Sequence, residues 1–295
     1  MILLLPSMRF YVISIVSIFA ALGIGIYIGL AMDAQNLIIE QKEDLATKLE
    51  QKFEDLRSEN QSLKVNVAEL KDENDIKDIF IKSTYEEIIK NKLEDLNIAI
   101  IETNPDYVYS SIGKELEDAG AKVVNVTTLN KNITDTAKLN DIFASLEENV
   151  NGDPVTKAIN SITESIVKGE EYPLVEKLKE EGLIYAVGEY NEPIDYVIIC
   201  GGSLDSNLNR INKVDKIIVN TVKALDIPVI GVEKSTVNYS YIESYKAFRI
   251  STVDNTDMII GKVAVILAMD NRPGHYGIKP SSEKVVPNLE NLAVE

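Results

Sequence analysis

The chain has 295 residues, of which 26% are charged and 6% aromatic, and its formal net charge at pH 7 is -17. Such an acidic surface repels the phosphates of nucleic acids, so we expect no nucleic-acid partner. With a single cysteine and a single histidine, the chain can form neither an internal disulfide nor a Cys/His zinc cage of its own.

The first predicted element is a transmembrane helix at residues 10–32. The run is uncharged for about 23 residues, enough to cross a bilayer core of roughly 30 Å, and it lacks the polar stripe of a soluble core helix. A cleaved signal peptide is the alternative, although its apolar region is usually shorter. Because Arg9 precedes the run and Asp33 follows it, residues 1–9 are predicted to be cytoplasmic and the rest to lie outside a single-pass cell-membrane protein.

Four small residues in this run are spaced four apart, which places them on one face of a helix. A Gly-xxx-Gly pair is a close-approach motif between membrane helices, although Gly and Ala are also common in membrane spans. The predicted transmembrane dimer face consists of Ser17, Ala21, Gly25 and Gly29.

Residues 33–94 are predicted to form a coiled-coil stalk. Leucines recur there every seven residues, and one asparagine falls among the intervening core positions. That pattern favours a parallel, two-stranded homodimer in register; the alternative is a helix that packs against its own globular domain. The predicted core positions are Leu49, Phe53, Leu56, Asn60, Leu63, Val67 and Leu70.

Residues 95–270 alternate apolar strands with helices, which predicts an α/β domain outside the membrane with a doubly wound, mostly parallel sheet of Rossmann-like or flavodoxin-like order. The predicted strands are Asn97–Ile101, Ala121–Val126, Ile194–Cys200, Ile227–Val232 and Lys246–Ser251. Four helices are predicted. The first begins at Pro105, the second runs from Pro154 to Gly169, and the third covers Arg210–Leu225. The last covers Met258–Met269, and Thr256 or Asp257 would cap it.

The chemistry of an enzyme is hard to place in this domain. The first strand is not followed by a glycine-rich phosphate loop, and no P-loop occurs in the sequence. Gly201, Gly202 and Ser203 follow a strand at the edge where such folds bind ligands, so they form a possible ligand turn. Glycine pairs after strands are usually just tight turns, which is the alternative. His275 has no nucleophile elbow near it. We therefore expect no catalytic activity, and no cofactor is evident from the sequence.

Residues 271–295 are predicted to be a C-terminal tail that folds back over the domain, with Tyr276 as its anchor and His275 at the surface. The loop that includes Asp254 and Asp257 is expected to bond to the backbone and start the last helix.

At this point the chain resembles a known family. MRFYVISIVSIFAALGIGIYIG, the LRSEN of the stalk, VDNTD, Gly261, GHYG and Pro287 follow one another as in the copper transport protein B (MctB) family. The resemblance implies a membrane-associated envelope protein with a coiled coil, an α/β domain and a role in copper homeostasis or efflux, and it implies no catalytic residue. The family motif positions are Val253, Asp254, Asp257, Gly274, His275, Tyr276 and Gly277.

Copper is possible as a ligand through this resemblance only, because the soft ligands that copper prefers are scarce. Cys200 and His275 are weak candidates, and Cys200 is expected to be a buried filler at the end of a strand. Met258 and Met269 lie about three turns apart on a predicted helix, too far to share one ion.

A competing prediction comes from the architecture. A stalked, self-paired, single-pass protein without catalytic groups is suited to position a partner, so a non-catalytic scaffold for cell-wall or cell-division proteins is the alternative function.

Overall fold

The computed structural model describes residues 8–109, 111–148, 152–206 and 208–288. The chain divides into two compact units, one up to Ile79 and one from Phe80 onward.

The first unit is helical. Helix α1 runs over Met8–Ile89, and its Met8–Met32 portion is the one stretch of the described residues that is long and apolar enough to cross a membrane, with a mean hydropathy of 2.3. None of that window is buried in the chain, as a lipid-facing helix requires.

Along the predicted stalk, the apolar core positions form an exposed stripe on α1. Their side chains are between 50% and 70% exposed in the single chain. The stripe consists of Leu49, Phe53, Leu56, Leu63, Val67 and Leu70.

The second unit contains a seven-stranded sheet in the order β3-β2-β1-β4-β5-β6-β7. All neighbouring strands are parallel except β3, which pairs antiparallel with β2 at one edge. The predicted α/β class with a mostly parallel sheet is therefore confirmed. The strands are β1 (Asn97–Glu102), β2 (Lys122–Leu129), β3 (Ile184–Gly188), β4 (Tyr196–Cys200), β5 (Val229–Val232), β6 (Ser251–Val253) and β7 (His275–Tyr276).

Apolar side chains fill both faces of this sheet, in two separate clusters, so the strands read as nearly continuous apolar runs. The helices are α2 (Ser111–Asp118), α3 (Thr136–Ser145), α4 (Pro154–Lys168), α5 (Pro173–Glu180), α6 (Leu208–Arg210), α7 (Lys216–Ala224), α8 (Ile242–Ala247) and α9 (Ile259–Met269), with a π-helical turn at Ile211–Asp215 between α6 and α7.

Local signals predicted α4 well. Pro154 is its first residue, Asp153 caps it by accepting a hydrogen bond from the Thr156 amide at 2.9 Å, and Gly169 ends it in the left-handed conformation.

The strand predicted at Lys246–Ser251 is wrong. Residues Ile242–Ala247 form α8, and the strand begins only at Ser251. Ile242 and Tyr245 lie three residues apart and are both buried, which is the spacing of one helix face rather than of a strand.

Other predicted boundaries also need correction. The first helix of the domain begins at Ser111 rather than at Pro105. The predicted tail contains β7, which extends the sheet, and the antiparallel strand β3 was not predicted. Neither Thr256 nor Asp257 caps α9, whose N-cap is Met258 without a side-chain hydrogen bond.

Candidate functional site

A cavity with a polar lining lies beyond the carboxyl ends of β1 and β4. From β1 the chain passes to β2 on one side, whereas β4 pairs on the other side, so the crevice between them is the place where open α/β sheets bind ligands. The cavity has a volume of about 150 Å³; we call it the switch-point cavity. Its buried lining residues are Asn104, Ser203, Arg210 and Tyr241, and its more exposed ones are Asp106, Lys131, Thr134 and Asp205.

Asn104 joins the two loops that form the cavity. Its side-chain amide donates to the Gly202 carbonyl at 2.8 Å, and its side-chain oxygen accepts from the Asp106 amide at 2.9 Å. The first bond holds the chain segment after β1 against the segment after β4, and the second orders the segment after β1 itself.

Arg210 lines the cavity and links the carboxyl ends of β1 and β2 by hydrogen bonds. It is only 7% exposed, and its guanidinium donates to the carbonyls of Thr103 at 2.6 Å, Leu129 at 3.2 Å and Lys131 at 3.2 Å. Burial lowers the pKa of Arg210, and the nearby charge of Asp215 opposes that shift. Sequence reasoning missed this role, because Arg210 reads only as the start of a helix.

Asp215 lies behind Arg210 on the π-helical turn. It is fully buried, and Tyr245 donates its hydroxyl proton to one carboxylate oxygen at 2.7 Å. The other oxygen has no hydrogen-bond partner among the described residues. Burial raises the pKa of Asp215 to about 6, because removal from water disfavours the charged carboxylate.

Tyr241 brings an unmet hydrogen-bonding group to the cavity. The side chain is 1% exposed, and its hydroxyl has no partner within the described part of the chain. Burial raises the pKa of Tyr241, and the neighbouring Ser203 side chain opposes that shift. An orphaned buried hydroxyl costs about 1–3 kcal/mol unless a ligand or a water satisfies it.

The exposed side of the cavity carries charges of both signs. Lys131 and Asp106 form an ion pair at 2.7 Å, and the second oxygen of Asp106 accepts from the Leu204 amide at 3.1 Å. Burial alone would raise the pKa of Asp106, but the hydrogen bond from Lys131 contributes to a net lowering. Asp205 is exposed and adds a second carboxylate to this side of the cavity.

Only one of the three residues in the predicted ligand turn lines the cavity. A Cβ on Gly201 would lie 2.2 Å from the Tyr245 hydroxyl, and one on Gly202 would lie 2.6 Å from Val237. Side chains of the protein therefore occupy the space over both glycines, which explains them by packing. Ser203 alone of the three lines the cavity, where its hydroxyl donates to the Asp205 carbonyl at 2.6 Å.

A second polar cluster gathers the two motifs VDNTD and GHYG. The Asp254 carboxylate accepts from the amides of Ile278 at 2.8 Å and Lys279 at 3.0 Å and from the Ser282 hydroxyl at 2.5 Å. Gly277 has a φ of +138°, and a Cβ there would lie 2.0 Å from the Asp254 carboxylate. We call residues 274–284 the clamp segment, because Asp254 holds it against the sheet.

Further contacts fix the first residues of the clamp segment. Val253 pairs with Tyr276 in the sheet, and the Tyr276 hydroxyl donates to the Arg272 carbonyl at 3.0 Å. The Gly274 amide donates to the Ser251 hydroxyl at 3.2 Å.

Two further carboxylates at the carboxyl ends of the strands, those of Glu233 and Asp257, are paired with other groups of the protein. Lys279 forms an ion pair with the fully buried Glu233, and Asp257 accepts from the Ser235 amide at 2.7 Å and from its hydroxyl at 2.6 Å. The motif residues thus build one structural unit.

The chain as a whole matches one protein family. The family described as "Copper transport outer membrane protein, MctB" matches residues 5–287, nearly the whole chain. This chain belongs to the MctB family. A comparison with curated proteins found no match.

The MctB membership raises the question whether residues of this chain fit copper. Cys200 is 2% exposed, and burial raises the pKa of its thiol, which disfavours the thiolate that binds metals. His275 is half-buried, with its Nδ1 at 3.0 Å from the Thr252 hydroxyl. Three strand spacings separate Cys200 from His275, about 14 Å in all, so they cannot share an ion.

Other donors in this MctB member fit copper no better. Met258 and Met269 stand at opposite ends of α9, about 16 Å apart. No group of three or more His, Cys, Asp or Glu side chains that could hold a metal occurs in residues 8–109, 111–148, 152–206 and 208–288. Among the described residues, neither Cys200 with His275 nor Met258 with Met269 can therefore share one copper ion.

In the membrane-spanning part of this MctB chain, the four small residues remain uncovered. A Cβ on Gly25 or Gly29 would meet no atom within 4 Å, and Ser17 donates only to the Ile13 carbonyl of its own helix at 2.8 Å. Space for the close approach of a second helix exists there, and pairing stays a prediction.

Replacing Asp254 with alanine is expected to release the clamp segment and to lower the free energy of unfolding by about 3 kcal/mol, because three donors lose a charged acceptor. Hydrogen exchange of the full-length protein in detergent would show faster exchange at residues 278 and 279. Asp141→Ala, on the exposed side of α3, is the matched control. Equal exchange in both variants would refute the clamp.

Proposed function

We propose that this protein is a membrane-anchored, self-pairing envelope protein that serves copper homeostasis or efflux without chelating the metal in its folded outer domain. The family match over residues 5–287 is the observation that carries the proposal. The poor fit of the described residues to copper argues for a role beside a transport step rather than for a binding site.

The anchor is the apolar part of α1. Arg9 precedes it and the acidic stalk follows it, so the positive-inside tendency supports a cytoplasmic N-terminus and an α/β domain outside the membrane. The lipid bilayer is then the first partner of this chain.

Self-pairing explains the exposed stripe of α1. A stripe of half-exposed leucines along one helix is unfavourable in water, and a parallel second copy would cover it. Asn60 at a core position would then bond to its twin only when the chains are in register.

The parallel strands follow the order β2-β1-β4-β5-β6-β7, whereas β3 is antiparallel at the edge. Counting the parallel strands alone gives the flavodoxin-like order 2-1-3-4-5 with one more strand, so the strand order supports a flavodoxin-like domain rather than a Rossmann-like one. In the switch-point cavity the Ser203 hydroxyl donates to the backbone carbonyl of Asp205 rather than to a side-chain base, which supports a non-catalytic domain.

The scaffold for cell-wall or cell-division proteins is the second candidate. The exposed stripe and the lack of a metal cluster among the described residues favour it. Under this proposal the outer domain positions an envelope protein partner.

A deletion strain separates the two functions. If the copper proposal holds, the deletion changes growth in copper-containing medium while septation and cell shape stay normal, and the full chain restores growth. Envelope or septation defects with unchanged copper tolerance would overturn it in favour of the scaffold.

Metal titration tests the second part of the proposal. We expect the full-length protein in detergent to bind Cu(I) no more tightly than its Cys200→Ala variant. Micromolar binding that is lost in Cys200→Ala would contradict the proposal that the outer domain does not chelate copper.

A further inference from the structure

We propose that the switch-point cavity binds a small zwitterion, an α-amino acid or a molecule of that size. This inference goes beyond the copper-related role and does not rest on it.

The size and the lining of the cavity define the class of ligand. With about 150 Å³, the cavity is smaller than the roughly 300–1,000 Å³ of sites for nucleotides and other large ligands. Each lining side chain carries a polar or charged group, so an apolar ligand would leave these groups unpaired, at a cost.

The charges around the cavity favour a ligand that carries both signs. Lys131 and Arg210 bring two positive charges, and Asp106 and Asp205 bring two negative ones. An inorganic phosphate would face two carboxylates, and a metal cation would face two cations. A zwitterion can place each of its charges beside the opposite one.

Two groups of the cavity are suited to a zwitterion. Within the part of the chain that the structure describes, the Tyr241 hydroxyl is buried without a hydrogen-bond partner, and the exposed Asp205 carboxylate lines the same cavity. Tyr241 can donate to a ligand carboxylate, which Lys131 also attracts, and Asp205 can accept from a ligand ammonium. The zwitterion therefore satisfies the one buried hydroxyl that the folded chain leaves unpaired at this site.

Thermal unfolding of the full-length protein in detergent tests the proposal with matched probes. L-Alanine carries both charges, L-lactate replaces the ammonium by a hydroxyl, and L-alaninamide replaces the carboxylate by an amide. We expect L-alanine to raise the midpoint of unfolding, because a ligand that binds the native state stabilises it, and the two analogues and inorganic phosphate to raise it much less.

Variants connect the effect to this cavity. Tyr241→Phe keeps the ring and loses one hydrogen bond, so we expect about tenfold weaker binding of L-alanine by calorimetry. Asp205→Asn removes the acceptor for the ammonium, and we expect a loss of more than tenfold. Tyr185→Phe, on the exposed edge strand β3, is the control and should bind as the parent does.

Several results would overturn the proposal. These are equal stabilisation by L-lactate or phosphate, which would indicate an anion site; no stabilisation by L-alanine; and unchanged affinity in Tyr241→Phe when its ligand-free midpoint of unfolding equals that of the parent.

Discussion

Replacing Leu56 and Leu63 with lysine is expected to turn a dimer into a monomer. Both side chains are more than half exposed on α1 in the single chain, and at a paired core they would place four lysines against each other. Apolar residues at these positions supply most of the pairing energy of a two-stranded coiled coil. Sedimentation velocity of the full-length protein in density-matched detergent would measure the change.

Ser58→Lys/Gln61→Lys is the matched control, since it adds the same charge at positions that face away from the heptad stripe. This variant should remain dimeric. A parent protein that sediments as a monomer, or a core variant that stays dimeric, would contradict self-pairing through the stalk.

Replacing Arg210 with methionine is expected to destabilise the α/β unit by about 3–5 kcal/mol. The variant would leave the buried carbonyls of Thr103 and Leu129 without these donors. It would also leave the buried carboxyl of Asp215 without its nearby positive charge. Urea unfolding of the full-length protein, followed by tyrosine emission because the chain has no tryptophan, would measure the loss.

Arg249→Met makes the same chemical change on an exposed arginine and should alter stability by less than about 0.5 kcal/mol. Arg210→Lys keeps a charge but loses the planar fork, so its stability should lie between those of the methionine variant and the parent. Equal unfolding midpoints for Arg210→Met and Arg249→Met would show that Arg210 does not fasten the strand ends.

Features that depend on neighbouring residues could be predicted from the sequence. The apolar run before Asp33, the strand Asn97–Glu102 and the helix from Pro154 all follow from local composition and end signals. The strand at Lys246–Ser251 failed because a short amphipathic helix and a buried strand share the same apolar residues, and only the packing of Tyr245 under the sheet decides between them.

The candidate site was only partly predictable. Ser203 was found because it follows a strand at the edge where ligands bind, whereas Arg210 and Tyr241 carry no local signal. The motif aspartate Asp254 was expected to start a helix, but its partners lie about two dozen residues later in the clamp segment.

By itself, the sequence determined the kinds of elements in this protein: an apolar helix, a heptad stripe, and apolar strands alternating with helices. Each depends on periodicity within a few turns or one strand, which the order of residues states directly. Only the tertiary structure decided which polar groups meet, because the switch-point cavity and the clamp segment join residues from distant parts of the chain. Their contacts depend on strand order and register, which local patterns do not encode.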